Sequence, residues 1–130
     1  MATTTATITL ASTDLLSDEL ALTTTATLTT AGTATGITQA AGLSRKTTAA
    51  TDAVTLFAAA SYTNNKAHKI YIKVTDTEGA KYITITHGST NIGLLYAGDW
   101  ALVPWDAQGD FKYTPGQTTS TTVEFMMFNE

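Results

Sequence analysis

Three carboxylates and both tryptophans crowd into one short stretch: Asp99, Trp100, Trp105, Asp106 and Asp110, with Tyr96 and Tyr113 just outside it. Two kinds of chemistry could use them. Carboxylates on turns can line an oxygen-rich calcium site. The alternating Asp/Asn loop that closes on a bidentate Glu is missing, however, so capping of turns is the favoured role for all three. Aromatic rings can form a platform for a sugar. Period-2 burial already accounts for Trp100, which is expected in the core beside Leu94 and Leu102. Trp105, beyond Pro104 and next to Asp106, is the better candidate for a surface contact.

No catalytic set emerges from the remaining reactive residues. His68 and His87 flank strands without a partner of their kind, and His87 before Gly88 suits a turn better than a base or ligand. Ser12, Ser17, Ser44, Ser61, Ser89 and Ser120 sit in no elbow or triad pattern. The chain has no cysteine, which removes thiol catalysis, Cys-ligated zinc and disulfides. The expectation is a protein that is not an enzyme, with no cofactor and no metal; an acidic pair converging in one pocket would revive a hydrolase.

The elements that must position these residues are strands. The run GLLYAGDWALVPW, Gly93 to Trp105, has a Gly-Asp turn between two apolar stretches and predicts the central hairpin of an all-β core. Ile70, Ile72 and Val74 alternate with Lys69, Tyr71, Lys73 and Thr75, the clearest strand of the chain. Asp76 to Gly79 is then expected to turn it into a hairpin with Tyr82–Thr86. Gly88 to Asn91 turns again, into Ile92–Tyr96. Phe111–Tyr113 is expected as a short edge strand. The closing strand, Thr121 to Phe128, carries apolar bulk on both faces, which places it inside the sandwich or against another subunit.

Towards the start, Ala6, Ile8 and Leu10 share one face of a first strand with threonines opposite. Leu20, Leu22, Thr24, Ala26 and Leu28 share a face of a second. Leu15–Glu19 between them is expected as a loop. Gly32, Gly36 and Gly42 punctuate a stretch of small residues expected as loop or loosely held arm. Leu43–Thr48 and Ala53–Ala58 are each long enough for a strand. The fold class expected is all-β: an antiparallel β-sandwich or jelly-roll-like barrel, one domain over residues 1–130, with a low-charge Thr/Ala/Gly-rich arm and edge strands over 1–50 and a core sandwich over 51–130.

Composition explains why so much strand is expected. Threonine supplies 30 of 130 residues, while only 14% are charged, so hydroxyls carry much of the polarity on β-branched side chains. The net charge of −4 and the scatter of the seven Lys and Arg argue against a nucleic-acid partner. No apolar run reaches the ~18 residues of a membrane span, so no membrane partner is expected, and the first residues lack the pattern of a secretory signal. Residues 1–50 hold five charged side chains and 17 of the threonines, too little to repay ordering alone. They fit either a strap that adds strands to a neighbouring chain or a set of edge strands on the same sandwich.

From His68 onward the strings AHKIYIKVTD, KYITITHGSTNIGLLYAGDWALVPWD and the closing TVEFMMF resemble small virion structural proteins of marine tailed bacteriophages, including those infecting cyanobacteria. The resemblance rests on an Ile-Gly-x-Leu strand leading to Tyr-Ala-Gly-Asp-Trp, the Pro-Trp-Asp stop and the Thr-Val-Glu-rich end, and extends weakly to TATLTTAGTATGITQAAGLSRKTTA. It implies a part of the virion and carries no functional residues with it. Within that class the short, acidic, cysteine-free chain fits a capsid decoration, or cement, protein. Such a protein would be made in the host cytoplasm and held on the capsid surface by the major capsid protein and by other copies of itself, with a trimer the expected state. Contacts are expected from Ile8, Leu10, Leu20 and Leu22 of the arm and from Phe125 and Met127 of the last strand. The competing expectation is a head-fibre or tail-knob module that binds a host glycan through aromatics near Trp105 and Tyr113.

Overall fold

A computed structural model describes residues 3–14, 20–37, 39–49, 51–116 and 120–130. The described residues are strand and turn, with one 3-10 turn at Ala59–Ser61 and no longer helix. The loop expected at Leu15–Glu19 lies outside them. One domain was the expectation, but the chain divides into two compact units, Met1–Thr38 and Gln39–Glu130.

The first unit is a two-stranded antiparallel ribbon of β1 (Thr5–Ser12) and β2 (Leu20–Thr27). Its register sets Ala6 opposite Ala26, Ile8 opposite Thr24, Leu10 opposite Leu22 and Ser12 opposite Leu20. Strand alternation therefore gathers Ile8, Leu10, Leu20 and Leu22 on one face. The other face is a threonine ladder, with Thr7 and Thr25 hydroxyls 2.8 Å apart and Thr9 and Thr23 hydroxyls 3.4 Å apart. Beyond β2 the small-residue stretch is more ordered than a loose arm. Gly32 adopts φ +71° in a turn, Ile37 N–H returns to the Leu28 carbonyl at 2.9 Å, and Leu28 and Ile37 are buried.

The second unit is the sandwich. Its strands are β3 (Gln39–Ala40), β4 (Ser44–Thr48), β5 (Val54–Phe57), β6 (His68–Val74), β7 (Tyr82–His87), β8 (Thr90–Tyr96), β9 (Trp100–Trp105), β10 (Phe111–Pro115) and β11 (Thr121–Asn129). One sheet has the order β5-β10-β7-β8. The other runs β3-β11-β6-β9, with β4 also laid along β11. All pairings are antiparallel. Within the arm, Gln39–Ala40 and Ser44–Thr48 are edge strands of the sandwich, as one of the two alternatives had it, and β1 pairs with β2.

The core forms where the inner faces meet: Ile70, Ile72 and Val74 of β6 and Val123 and Met127 of β11 against Ile83 and Ile85 of β7 and Phe111 and Tyr113 of β10. A bond between the Thr48 and Tyr113 hydroxyls, at 2.8 Å, ties the sheets together. β11 sits inside its sheet, flanked by β6 on one side and by β3 and β4 on the other, as its two apolar faces suggested.

Three pairing expectations are overturned. β6 and β7 are not hairpin partners but lie in different sheets, and so do β8 and β9. The connection after β6 is held to its own sheet, because Asp76 accepts the Thr122 N–H at 2.6 Å and an amine proton of Lys81 at 3.2 Å. The turn after β8 is tied to the end of β6: Gly98, at φ +88°, donates its N–H to the Val74 carbonyl at 2.9 Å, and Val74 donates to Asp99 at 3.0 Å. β10, expected at an edge, lies between β5 and β7 with Phe111 and Tyr113 fully buried.

Candidate interaction surfaces

The acidic cluster resolves into backbone capping, local for Asp99 and Asp106 and long-range for Asp110. Asp99 accepts the Tyr96 N–H at 2.9 Å, Asp110 the Ala59 N–H at 2.9 Å and Asp106 the Gln108 N–H at 3.0 Å. Each carboxylate is committed to a separate backbone donor, and no group of three or more potential metal ligands exists among the described residues.

The tryptophans exchange the roles expected of them. Along β9, Ala101, Val103 and Trp105 face Ile72, Ile70 and His68, so parity turns Trp100 outward beside Lys73. Trp105 is 3% exposed and Trp100 50%. Trp105 stands in an aromatic cluster with Phe57, Tyr62 and His68, at ring-centre distances of 6.2, 5.4 and 5.5 Å, and its Nε1–H donates to the Gly109 carbonyl at 2.8 Å. His68 is itself buried, its Nε2 donating to the Thr63 carbonyl at 3.1 Å. Trp105 and Tyr113 therefore cannot be the exposed sugar platform. Burial pushes the Tyr113 phenol up, against a smaller downward pull from the Thr48 hydroxyl.

The last strand needs the same correction. Met127 is fully buried and Phe125 packs against the core, because Thr121, Val123, Phe125 and Met127 form the inward row. The outward row is Thr122, Glu124, Met126 and Phe128. Here Glu124 receives Arg45 at 3.0 Å and the Tyr71 hydroxyl at 3.3 Å. The Tyr71 phenol is pushed up by burial first and by Glu124 second.

One open depression of about 370 Å³ is lined by Lys66, Lys69, His87, Pro104, Trp105 and Asp106. His87 Nε2 lies 3.2 Å from Asp106 Oδ1, and Lys66 pairs with Glu130 at 3.4 Å. Burial pushes the Lys69 amine down, Glu130 opposing, and Lys69 donates to the Ala67 carbonyl at 2.7 Å.

What the chain does present is apolar surface. On the ribbon Ile8, Leu10 and Leu22 are 40, 50 and 47% exposed, and Leu20 is half-buried. A two-stranded ribbon is marginal by itself and gains stability when a hydrophobic face is covered or a third strand is added. A second surface lies on β8, where Ile92, Leu94 and Tyr96 point outward; of these, Leu94 had been expected in the core. The signal that could have found it is compositional: Thr90–Tyr96 contains neither a charge nor a proline.

Set against protein-family models, curated proteins and solved structures, the chain matches none of them. Among the described residues no helix is long and apolar enough to cross a membrane.

Proposed function

We propose that the chain is a non-enzymatic structural protein of a bacteriophage particle that decorates the outer capsid surface and reinforces it. Its partners in this reading are the major capsid protein and further copies of the chain, assembled as a trimer. The observation that carries it is the ribbon face of Ile8, Leu10 and Leu22, an exposed apolar surface with threonines on the opposite face. Such a face is completed by lying on another protein. A shell repeats the docking site many times, so weak contacts per copy add into firm attachment. The resemblance of the sandwich strings to phage virion proteins supplies the kind of shell.

The test is the stability of particles with and without the chain. Particles lacking it should release their DNA at lower temperature or under milder salt stress, and adding the purified chain should restore them. The Leu10→Lys, Leu22→Lys double variant should leave the sandwich folded and fail to restore them. Equal rupture with and without the chain overturns the reading.

A second reading, a head-fibre or tail-knob module that binds a host glycan, is favoured by a different observation: Trp100 and Tyr96 are each about half exposed, at 50 and 46%. It predicts that Trp100→Ala abolishes host adsorption and leaves particle stability unchanged.

A further inference from the structure

The four edges of the sandwich are not alike. β9 carries Pro104, which donates nothing to a ladder, and β4 carries Arg45 and Lys46, both exposed. β5 has four residues and a register break against β10. Proline, charge and brevity are the usual devices that stop a strand edge from pairing with another chain. β8 has seven residues, no charge and no proline, and its outward Ile92, Leu94 and Tyr96 are 46, 53 and 46% exposed.

The backbone of β8 admits one pairing frame. Ala97 N–H donates to the Lys81 carbonyl and Gly116 N–H to the Tyr82 carbonyl, so odd-numbered β7 residues bond towards β8 and even-numbered ones towards β10. Antiparallel alternation then points the polar groups of Gly93 and Leu95 at β7 and those of Leu94 and Tyr96 at the open edge. Tyr96 is capped, its N–H on the Asp99 carboxylate and its carbonyl receiving the Asp99 N–H, both at 2.9 Å. At the other end the register shifts at Ile85/Thr86 and makes Ile92 a bulge. Leu94 is left at the centre, with its N–H and carbonyl facing outward.

We propose that β8 is a self-pairing edge, and that two copies of the chain join through it antiparallel across a two-fold axis at Leu94. In that frame Leu94 exchanges both backbone bonds with the partner's Leu94, and Ile92 lies opposite the partner's Tyr96. The contact is isologous, apolar and free of like-charge opposition. Two four-stranded sheets become one of eight strands. Three partly exposed side chains fall well short of the about 800 Å² per partner of a stable complex. The pairing is therefore weak in dilute solution and operates where copies are held close together.

Cross-linking tests it directly, since the chain has no cysteine of its own. A hydrogen-bonded antiparallel pair sets its Cα atoms about 5.5 Å apart, within disulfide range. Under mild oxidation at equal concentration, Leu94→Cys should form a covalent dimer at least about tenfold faster than Leu43→Cys, an exposed control, because only the first site is brought against itself. Adding Ile92→Lys to Leu94→Cys should reduce its rate to that of the control, with an unchanged melting curve. Equal rates for the two cysteine variants overturn the proposal, as does a Leu94→Cys rate that Ile92→Lys leaves untouched. A rate that falls with Leu10→Lys and not with Ile92→Lys would assign the association to the ribbon face and would equally overturn it.

Discussion

Replacing each tryptophan in turn separates the inside of the sandwich from its outside. Trp105→Ala removes a ring that is 3% exposed, packed against Phe57, Tyr62 and His68, and hydrogen-bonded to the Gly109 carbonyl. Truncating a buried aromatic to alanine costs about 3–5 kcal/mol, and the Gly109 carbonyl loses its donor besides. For a domain of about a hundred residues each kcal/mol moves the melting temperature by about 4–8 °C, so a fall of about 15 °C or more is expected. Trp100→Ala removes a side chain half open to solvent and should stay within about 0.5 kcal/mol of the parent. Urea titrations followed by far-UV circular dichroism read both values.

Fluorescence gives an independent check on the same pair. In Trp100→Phe the remaining Trp105 should emit at short wavelength and resist iodide quenching. In Trp105→Phe the remaining Trp100 should emit at long wavelength and quench readily. If Trp100→Ala cost as much as Trp105→Ala, or if the quenching order were reversed, the parity assigned to β9 would be wrong, and the placement of β6 and β11 beside it would fall too.

Stability should fall above about pH 10. Lys81 is held above its ordinary value chiefly by its hydrogen bond to Asp76, so its contribution is complete below the unfolded value of ~10.4 and lost as pH rises through the folded one. The Tyr113 phenol, pushed up by burial, works in the same direction, because the unfolded chain ionises first, from about pH 10. Lys69, pushed down, opposes them below ~10.4; thermal melts of the parent and of Lys81→Met from pH 7 to 11 should show the shallower alkaline slope in the variant. Gly109→Ala would bring a methyl to 3.0 Å from the Gly88 backbone and should cost about 1–3 kcal/mol. Gly93→Ala meets open space and should be neutral or stabilising by up to about 1 kcal/mol; denaturant midpoints distinguish the two.

Strand positions were legible in the sequence because period-2 patterning is a local property. Ile70–Val74, Tyr82–Thr86 and Thr121–Phe128 all lie within the observed strands. Partners were not legible, because a strand that turns back into its own sheet and one that crosses to the facing sheet carry the same alternation. The decision lies in tertiary bonds such as Asp76 to Thr122 and Gly98 to Val74, whose partners are distant in sequence. The error over the tryptophans has the same origin. Trp100 and Leu102 do share a face, as alternation requires, but which face is inward is set by the pairing of β9 with β6. The turn roles of Asp99 and Asp106 needed no such information and could be read from local chemistry, whereas Asp110 holds the Ala59 N–H, a partner the sequence does not indicate.

The same distinction explains why the charge-poor composition matters more in one unit than in the other. In the sandwich the few charges have structural work: Asp76 ties Lys81 and the Thr122 N–H together, Glu124 gathers Arg45 and Tyr71, and Lys112 pairs with Asp110 at 3.6 Å. The two strands of the ribbon contain no charged residue at all, over eight residues each, with no proline. Charge-free strands with exposed apolar side chains such as Ile8, Leu10 and Leu22 meet conditions under which strands associate. Threonine keeps the ribbon hydrated on the opposite face without supplying the repulsion that lysine or glutamate would bring to an approaching copy. A segment built in this way is suited to being covered, and charge placed on its apolar face is the perturbation that should separate association from folding. Leu10→Lys with Leu22→Lys should leave the sandwich transition unmoved while abolishing any concentration dependence that the ribbon contributes, as sedimentation would show.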